Sequence, residues 1–237
     1  MRRWRVRVEG TPVALKELPR LLPPTCSIVE WDGISCLESP QFNALHEAAE
    51  VMTAAAQFVE AANLVAALRV PGWHPVACDA VAELREDGMK HWAKFLYASI
   101  AVSASVTASA TVVRADGATE GPSDPPVFNA EAQLVMQSMP VRQALSFLQE
   151  GSWVNLYKAY EIVRADVGGD QALCDLGWAT GPALSRFRRT CQSPTVLGSE
   201  ARHGVEPAAP PARPLGYAEA RNLVASLIAK WIEGHLT

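Results

Sequence analysis

Charge of one sign is missing from this sequence. Lys and Arg number 21 against 25 Asp and Glu, a net charge of −4, so no gross field draws the chain to nucleic acid or to an anionic membrane. The balance holds in each half. Residues 1–115 carry 11 basic and 12 acidic side chains, and residues 116–237 carry 10 and 13. Cysteine is sparse. Cys26, Cys36, Cys78, Cys174 and Cys191 are odd in number, widely spaced and form no CxxC pair, which argues against a disulfide framework or a zinc knuckle and for a reducing cytoplasm. A long apolar run is also missing. The stretch with least charge, residues 95–113, is studded with Ser and Thr and reads as strand rather than as a membrane span. No secretory pattern opens the chain, because Arg2, Arg3, Arg5 and Arg7 interleave with apolar residues from Trp4 onward.

Motifs of catalysis are lacking too. There is no GxGxxG after a strand, no Walker loop, no HExxH and no GxSxG. The histidines lie at 46, 74, 91, 203 and 235 without short metal-ligand spacing, so neither a cofactor nor a metal is expected. What is present is a balanced globular composition, 49% apolar and 19% charged over 237 residues. That excludes a collagen, a coiled coil and a disordered chain, and is enough for one large domain or two small ones.

Periodicity organises the chain. Trp4, Val6 and Val8 alternate with Arg3, Arg5, Arg7 and Glu9, predicting a strand with one buried and one charged face. Trp4 thereby faces away from the arginines and cannot stack beside them. Residues 12–22 suit a short helix, with Pro12 in its first turn and Pro23-Pro24 beyond its end. Asp32-Gly33 between two apolar runs predicts a hairpin. An alanine-rich helix is expected over residues 41–69, then a second hairpin around Asp87-Gly88 and one or two more strands over 99–113. Residues 116–128, rich in Gly, Pro, Ser and Asp, read as a linker between an α+β domain at 1–115 and a helical bundle at 129–237. In the bundle, Pro140 breaks a helix at 129–149, Ser152 caps one that Gly168-Gly169 ends, Thr180 and Pro182 open another, and a Pro-rich loop at 205–214 precedes a last helix from Tyr217.

The densest polar cluster lies in the second half. Arg186, Arg188 and Arg189 are followed by Arg202-His203-Gly204. An imidazole titrates near pH ~6.5 and exchanges protons at neutrality, while a guanidinium holds a phosphate bidentately or steadies an oxyanion. Such a set suits metal-independent cleavage of an RNA phosphodiester, with His203, Arg202, Arg189 and Glu161 as candidate catalytic groups and Arg186, Arg188 and Lys158 as phosphate contacts. The plainer reading is a helix end and a solvated face. Cys191 is the one thiol that the neighbouring arginines would acidify.

Leu156-Tyr157-Lys158-Ala159-Tyr160-Glu161, then Phe187-Arg188-Arg189, then Ala201-Arg202-His203-Gly204 before a proline loop and a closing helix resemble the HEPN-type helical domains, most closely those of abortive-infection type in bacteria. The resemblance covers residues 129–237. It implies a dimeric, metal-independent ribonuclease of defence or toxin systems, with an Arg separated from its His by four to six intervening residues. Here the positions that spacing requires are Val196, Leu197 and Gly198. Domains of this type without the signature are binding or dimerisation modules. The expectation is therefore a non-enzymatic binding or assembly module of a bacterial defence or stress system, with a protein partner or a second copy as ligand, RNA as a further one, and no membrane. The ribonuclease is the alternative.

Overall fold

Strict alternation makes Arg3–Glu9 a strand, β1, whose Trp4, Val6 and Val8 are buried while Arg5 and Arg7 stay half-buried on the other face. In the computed structural model, which describes residues 3–84, 90–94 and 127–237, β1 is the centre of a five-stranded sheet. Its partners are β2 (Ser27–Trp31), β3 (Ile34–Glu38), β4 (Ala77–Leu84) and β5 (Lys90–Lys94), in the order β2-β3-β1-β4-β5. Every pairing is antiparallel. Asp32 and Gly33 both take positive φ, 53° and 75°, which is the geometry of a two-residue hairpin turn. A short helix α1 (Pro12–Glu17), capped by Thr11, precedes β2.

Against one face of the sheet packs α2 (Ala48–Arg69), burying Val51, Met52, Phe58, Val59 and Val65. The expected helix over 41–69 begins later than its composition suggests. Glu47 is extended and closes a capping box with Glu50, so a 3-10 turn, Pro40–Ala44, precedes the helix proper. Asn63 ties the end of α2 to the next strand. Its Nδ2 donates to the Val76 carbonyl (2.9 Å), and its Oδ1 accepts from Trp73 Nε1 and Val76 N, each at 3.0 Å. By length and mean hydropathy (1.5) α2 is apolar enough to cross a membrane, and 56% of that stretch is buried in the unit.

The chain divides into two units, Met1–Met136 and Gln137–Thr237. Helix α3 (Asn129–Gln137) therefore lies almost wholly in the first, not at the head of the bundle where 129 was expected to stand. The reason is non-local. Arg69 pairs with the buried Glu131 at 2.9 Å, Phe128 N donates to the Arg20 carbonyl at 2.8 Å, and the Phe128 ring meets both Arg20 and Arg69. The expected strands at 99–113, the Asp87-Gly88 turn and most of the expected 116–128 linker lie outside the described residues.

The second unit is helical: α4 (Met139–Glu150), α5 (Trp153–Val167), α6 (Asp170–Asp175), α7 (Gly181–Gln192), α8 (Pro194–Leu197) and α9 (Tyr217–Leu236). The architecture is thus α+β. Pro140 stands in the first turn of α4, and Ser138, Ser152 and Thr180 accept hydrogen bonds from backbone N–H groups to cap α4, α5 and α7. Helix α5 packs against α4, α6, α7 and α9, burying Leu156, Ala159, Tyr160 and Val163 completely. It stops at Gly168, φ 93°. A Cβ there would meet nothing within 4 Å, so the cost of Gly168→Ala is conformational alone. It is expected to lower the stability of this unit by about 1 kcal/mol in denaturant unfolding. No loss at all would mean that the helix end relaxes out of the left-handed region.

Candidate functional site

Of the predicted site residues, α5 and the segment that follows α8 bring Glu161 and Arg202 into contact. Arg202 stands at the centre. Its guanidinium lies 4.4 Å from the Tyr157 ring centroid and pairs with Glu161 at 3.0 Å. Both partners are about one-third exposed, 35% and 38%. The backbone N–H of Arg202 donates to the Cys191 carbonyl (2.9 Å), which fixes the segment on α7. Gln192 Nε2 donates to the Tyr157 hydroxyl at 2.7 Å and holds that ring in place.

His203 is next in sequence. Its side chain is exposed, and among the described residues it has no hydrogen bond or ion pair. Arg202 and Glu161 meet; His203 meets neither. Among the described residues no hydrogen-bond partner orients the imidazole, as general acid–base work requires.

The remaining cations hold the protein's own chain. Arg186 Nε donates to the Arg213 carbonyl (2.6 Å) and Nη2 to that of Pro214 (3.3 Å). Arg189 donates to the carbonyls of Ala209 and Pro210, at 2.5–3.1 Å. Together they pin the Pro-rich loop, helped by Glu206, which accepts from Ser193 Oγ (2.9 Å) and Thr195 N (3.1 Å), and by Leu215 N, which donates to Thr190 Oγ1 (3.1 Å). Proline has no N–H, so a Pro-rich loop offers mainly carbonyls, and a guanidinium with five donors is suited to them. Arg188 turns the other way, to Asp170, which also accepts from Arg164 Nε (2.7 Å) and from the Tyr160 hydroxyl. Lys158 lies on the exposed side of α5, its Nζ 5.1 Å from the Phe147 centroid.

Two charge states follow. Burial pushes the Asp170 carboxyl up, and the hydrogen bonds from Tyr160, Arg188 and Arg164 outweigh it, leaving its pKa below the ordinary value. Burial pushes the Tyr160 hydroxyl up, with the Asp170 carboxylate adding to it. Asp170 and Arg164 are not among the expected site residues, and their contact joins α5 to the start of α6. The expectation for Cys191 is corrected. Its thiol is buried and is pushed up to about 12 by desolvation, because Arg188 and Arg189 point away from it to Asp170 and to the loop. It is not an activated nucleophile.

In the first unit, an open pocket of about 320 Å³ at the start of α2 is lined by Trp4, His46, Glu47, Val81 and Glu83, among others. Its polar groups are engaged locally: Trp4 Nε1 donates to the Leu45 carbonyl (3.2 Å), and Glu47 belongs to the capping box. On the opposite face of the sheet, Trp31 stacks on Trp92, centroids 5.5 Å apart and planes at 26°, and the Arg5 guanidinium lies 4.8 Å from the Trp31 centroid. Nothing local in the sequence announces that Trp31 and Trp92 meet. Strand parity carries the signal once the pairing is known. Trp92 is level with Ala82 and so with Arg5, and Trp31 shares its face with Cys36 and so with Arg7. Among the described residues no three His, Cys, Asp or Glu side chains are grouped to hold a metal. No family model, no curated protein and no solved structure matches the chain.

Proposed function

We propose that the chain is a non-enzymatic binding or assembly module, and that its helical unit holds a protein partner or a second copy rather than cutting RNA. The observation that carries this reading is the isolation of His203. A ribonuclease of the expected kind needs an imidazole in company with a cation that stabilises developing charge. Here Arg202 is stacked on Tyr157 and paired with Glu161, Arg186 and Arg189 grip the loop, and Arg188 is paired with Asp170. These guanidiniums serve the shape of the unit. The resemblance to HEPN-type helical domains supplies the setting, a bacterial defence or stress system in which modules lacking the catalytic spacing bind or dimerise.

Incubation with total RNA and tRNA in EDTA tests it. The wild type and His203→Ala are expected to leave RNA equally intact. Cleavage by the wild type that disappears in His203→Ala would overturn the reading in favour of the ribonuclease. Light scattering is the second arm. A mass above the 25.5 kDa of one chain, alone or with a co-purified protein, is expected, and a solitary monomer at every concentration counts against assembly.

A further inference from the structure

The geometry points to a single-stranded nucleic acid contact on the face of the sheet opposite α2, with Trp92 as the stacking surface and Arg3 and Lys94 as the phosphate contacts. This inference concerns the first unit and stands whether or not the second unit cleaves RNA.

The face is defined by register. On β1 it carries Arg3, Arg5 and Arg7; on β5, reached through Ala82 and Ala80 of β4, it carries Trp92 and Lys94. Trp92 is level with Arg5, and Lys94 with Arg7. Helix α2 covers the other face, where Trp4, Val6 and Val81 are buried. On the face opposite α2 the small residues Cys36, Ala80 and Ala82 are buried at sheet level, beneath Arg5, Arg7, Trp31 and Trp92. Hence the outer surface here is built of indole rings and guanidiniums. Trp31 is packed by Arg5 and Trp92, and Trp92 remains 38% exposed.

Charge decides what such a surface takes. Two of its cations are neutralised in place: Arg5 by Glu38 at 2.5 Å, and Arg7 by Asp79 and by Glu9 at 3.3 Å. Arg3 and Lys94 are exposed and have no carboxylate partner among the described residues. The free charge beside the rings is therefore positive, although the chain as a whole is acidic. Trp92 and Lys94, two positions apart on β5, are separated by about 7 Å, a spacing on the scale of one nucleotide, while Arg3 lies two strands across on β1, level with Leu84. A flat π surface flanked by cations is the combination that single strands use: bases stack on the aromatic ring and phosphates follow the cations, with little preference for sequence. Double-stranded nucleic acid keeps its bases stacked on each other and gains nothing from Trp92.

Fluorescence anisotropy with labelled single-stranded oligouridylate and oligothymidylate tests this with the full chain. Binding is expected in the range of non-specific complexes, with Kd about 10⁻⁴ to 10⁻⁶ M. Two phosphate contacts predict a slope of about −1.4 in log K against log salt, so affinity should fall about sevenfold between 50 and 200 mM salt. Trp92→Ala is expected to weaken binding roughly tenfold or more, as loss of one stacked base does, while Trp92→Phe keeps most of it. The pair Arg3→Ala and Lys94→Ala should flatten the salt slope and leave the fold, read by circular dichroism, unchanged. No binding at submillimolar protein, or equal binding by the wild type and Trp92→Ala, overturns the proposal. So does a Trp92 that is shielded from acrylamide quenching by a protein ligand and not by oligonucleotides.

Discussion

Replacing Phe187 with alanine is expected to lower the stability of the helical unit by about 3–5 kcal/mol, the range for emptying a large aromatic site in a close-packed core. Phe187 is wholly buried. Its ring lies 6.0 Å from Tyr157, nearly parallel at 14°, and 5.3 Å from Tyr160, edge-on at 71°. The two tyrosines meet each other at 5.6 Å and 69°. Three rings thus form one cluster at the contact of α5 and α7, and each pair adds about 0.5–1.5 kcal/mol beyond the area it buries. The cluster also supports the surface above it. Tyr157 carries Arg202 and Gln192, and Tyr160 donates to Asp170. Urea unfolding followed by far-ultraviolet circular dichroism measures the loss, and Phe187→Leu, which refills most of the space, should lose less than half as much. A loss under about 1 kcal/mol for Phe187→Ala would mean that the neighbours collapse into the gap and that the cluster is not closely packed.

What the sequence revealed and what it hid divide along one physical line. Features set by near neighbours were legible. The alternation of Trp4, Val6 and Val8, the Asp32-Gly33 turn, the Ser152 and Thr180 caps and the Gly168 stop all depend on residues within a few positions of each other. Features set by distant partners were not. Helix α3 joins the first unit through Arg69 and Arg20, and nothing between residues 129 and 137 announces that. The arginines of α7 looked like a free cationic face because a hydrogen bond to a backbone carbonyl leaves no mark in a sequence. The true partners of Arg186 and Arg189, the carbonyls of Ala209, Pro210, Arg213 and Pro214, are 20 to 28 residues away, and that of Arg188 is Asp170. The pairing of Glu161 with Arg202 spans still more chain. The two residues had been named together as site candidates, yet their contact removed the cation that His203 needed.

Asp170 sets up the sharper test of whether those cations are internal fittings or a docking surface. At neutral pH, Asp170→Asn is expected to destabilise the helical unit by about 2 kcal/mol. Removing one partner of a fully buried pair costs about 3–5 kcal/mol; the Asp170 side chain is 26% exposed and those of Arg188 and Arg164 are 42% and 46% exposed, so solvent screening reduces the figure. The sign of the pH dependence follows from the lowered pKa. An unfolded aspartate titrates near ~3.9. The folded group titrates lower, so its contribution is complete above that value and disappears as pH falls from about 4 through the folded value. Stability measured from pH 7 downward should therefore show a constant gap between wild type and Asp170→Asn, closing below about pH 4. A gap that persists unchanged to pH 3 would show that the variant perturbs packing rather than charge. The same variant releases the Arg188 guanidinium. If the helical unit were built to hold an anion, freeing that cation should strengthen binding of RNA or inorganic phosphate. If Arg188 exists to secure α7 against α6, as its pairing with Asp170 and through it Tyr160 implies, the variant should lose stability and gain no affinity.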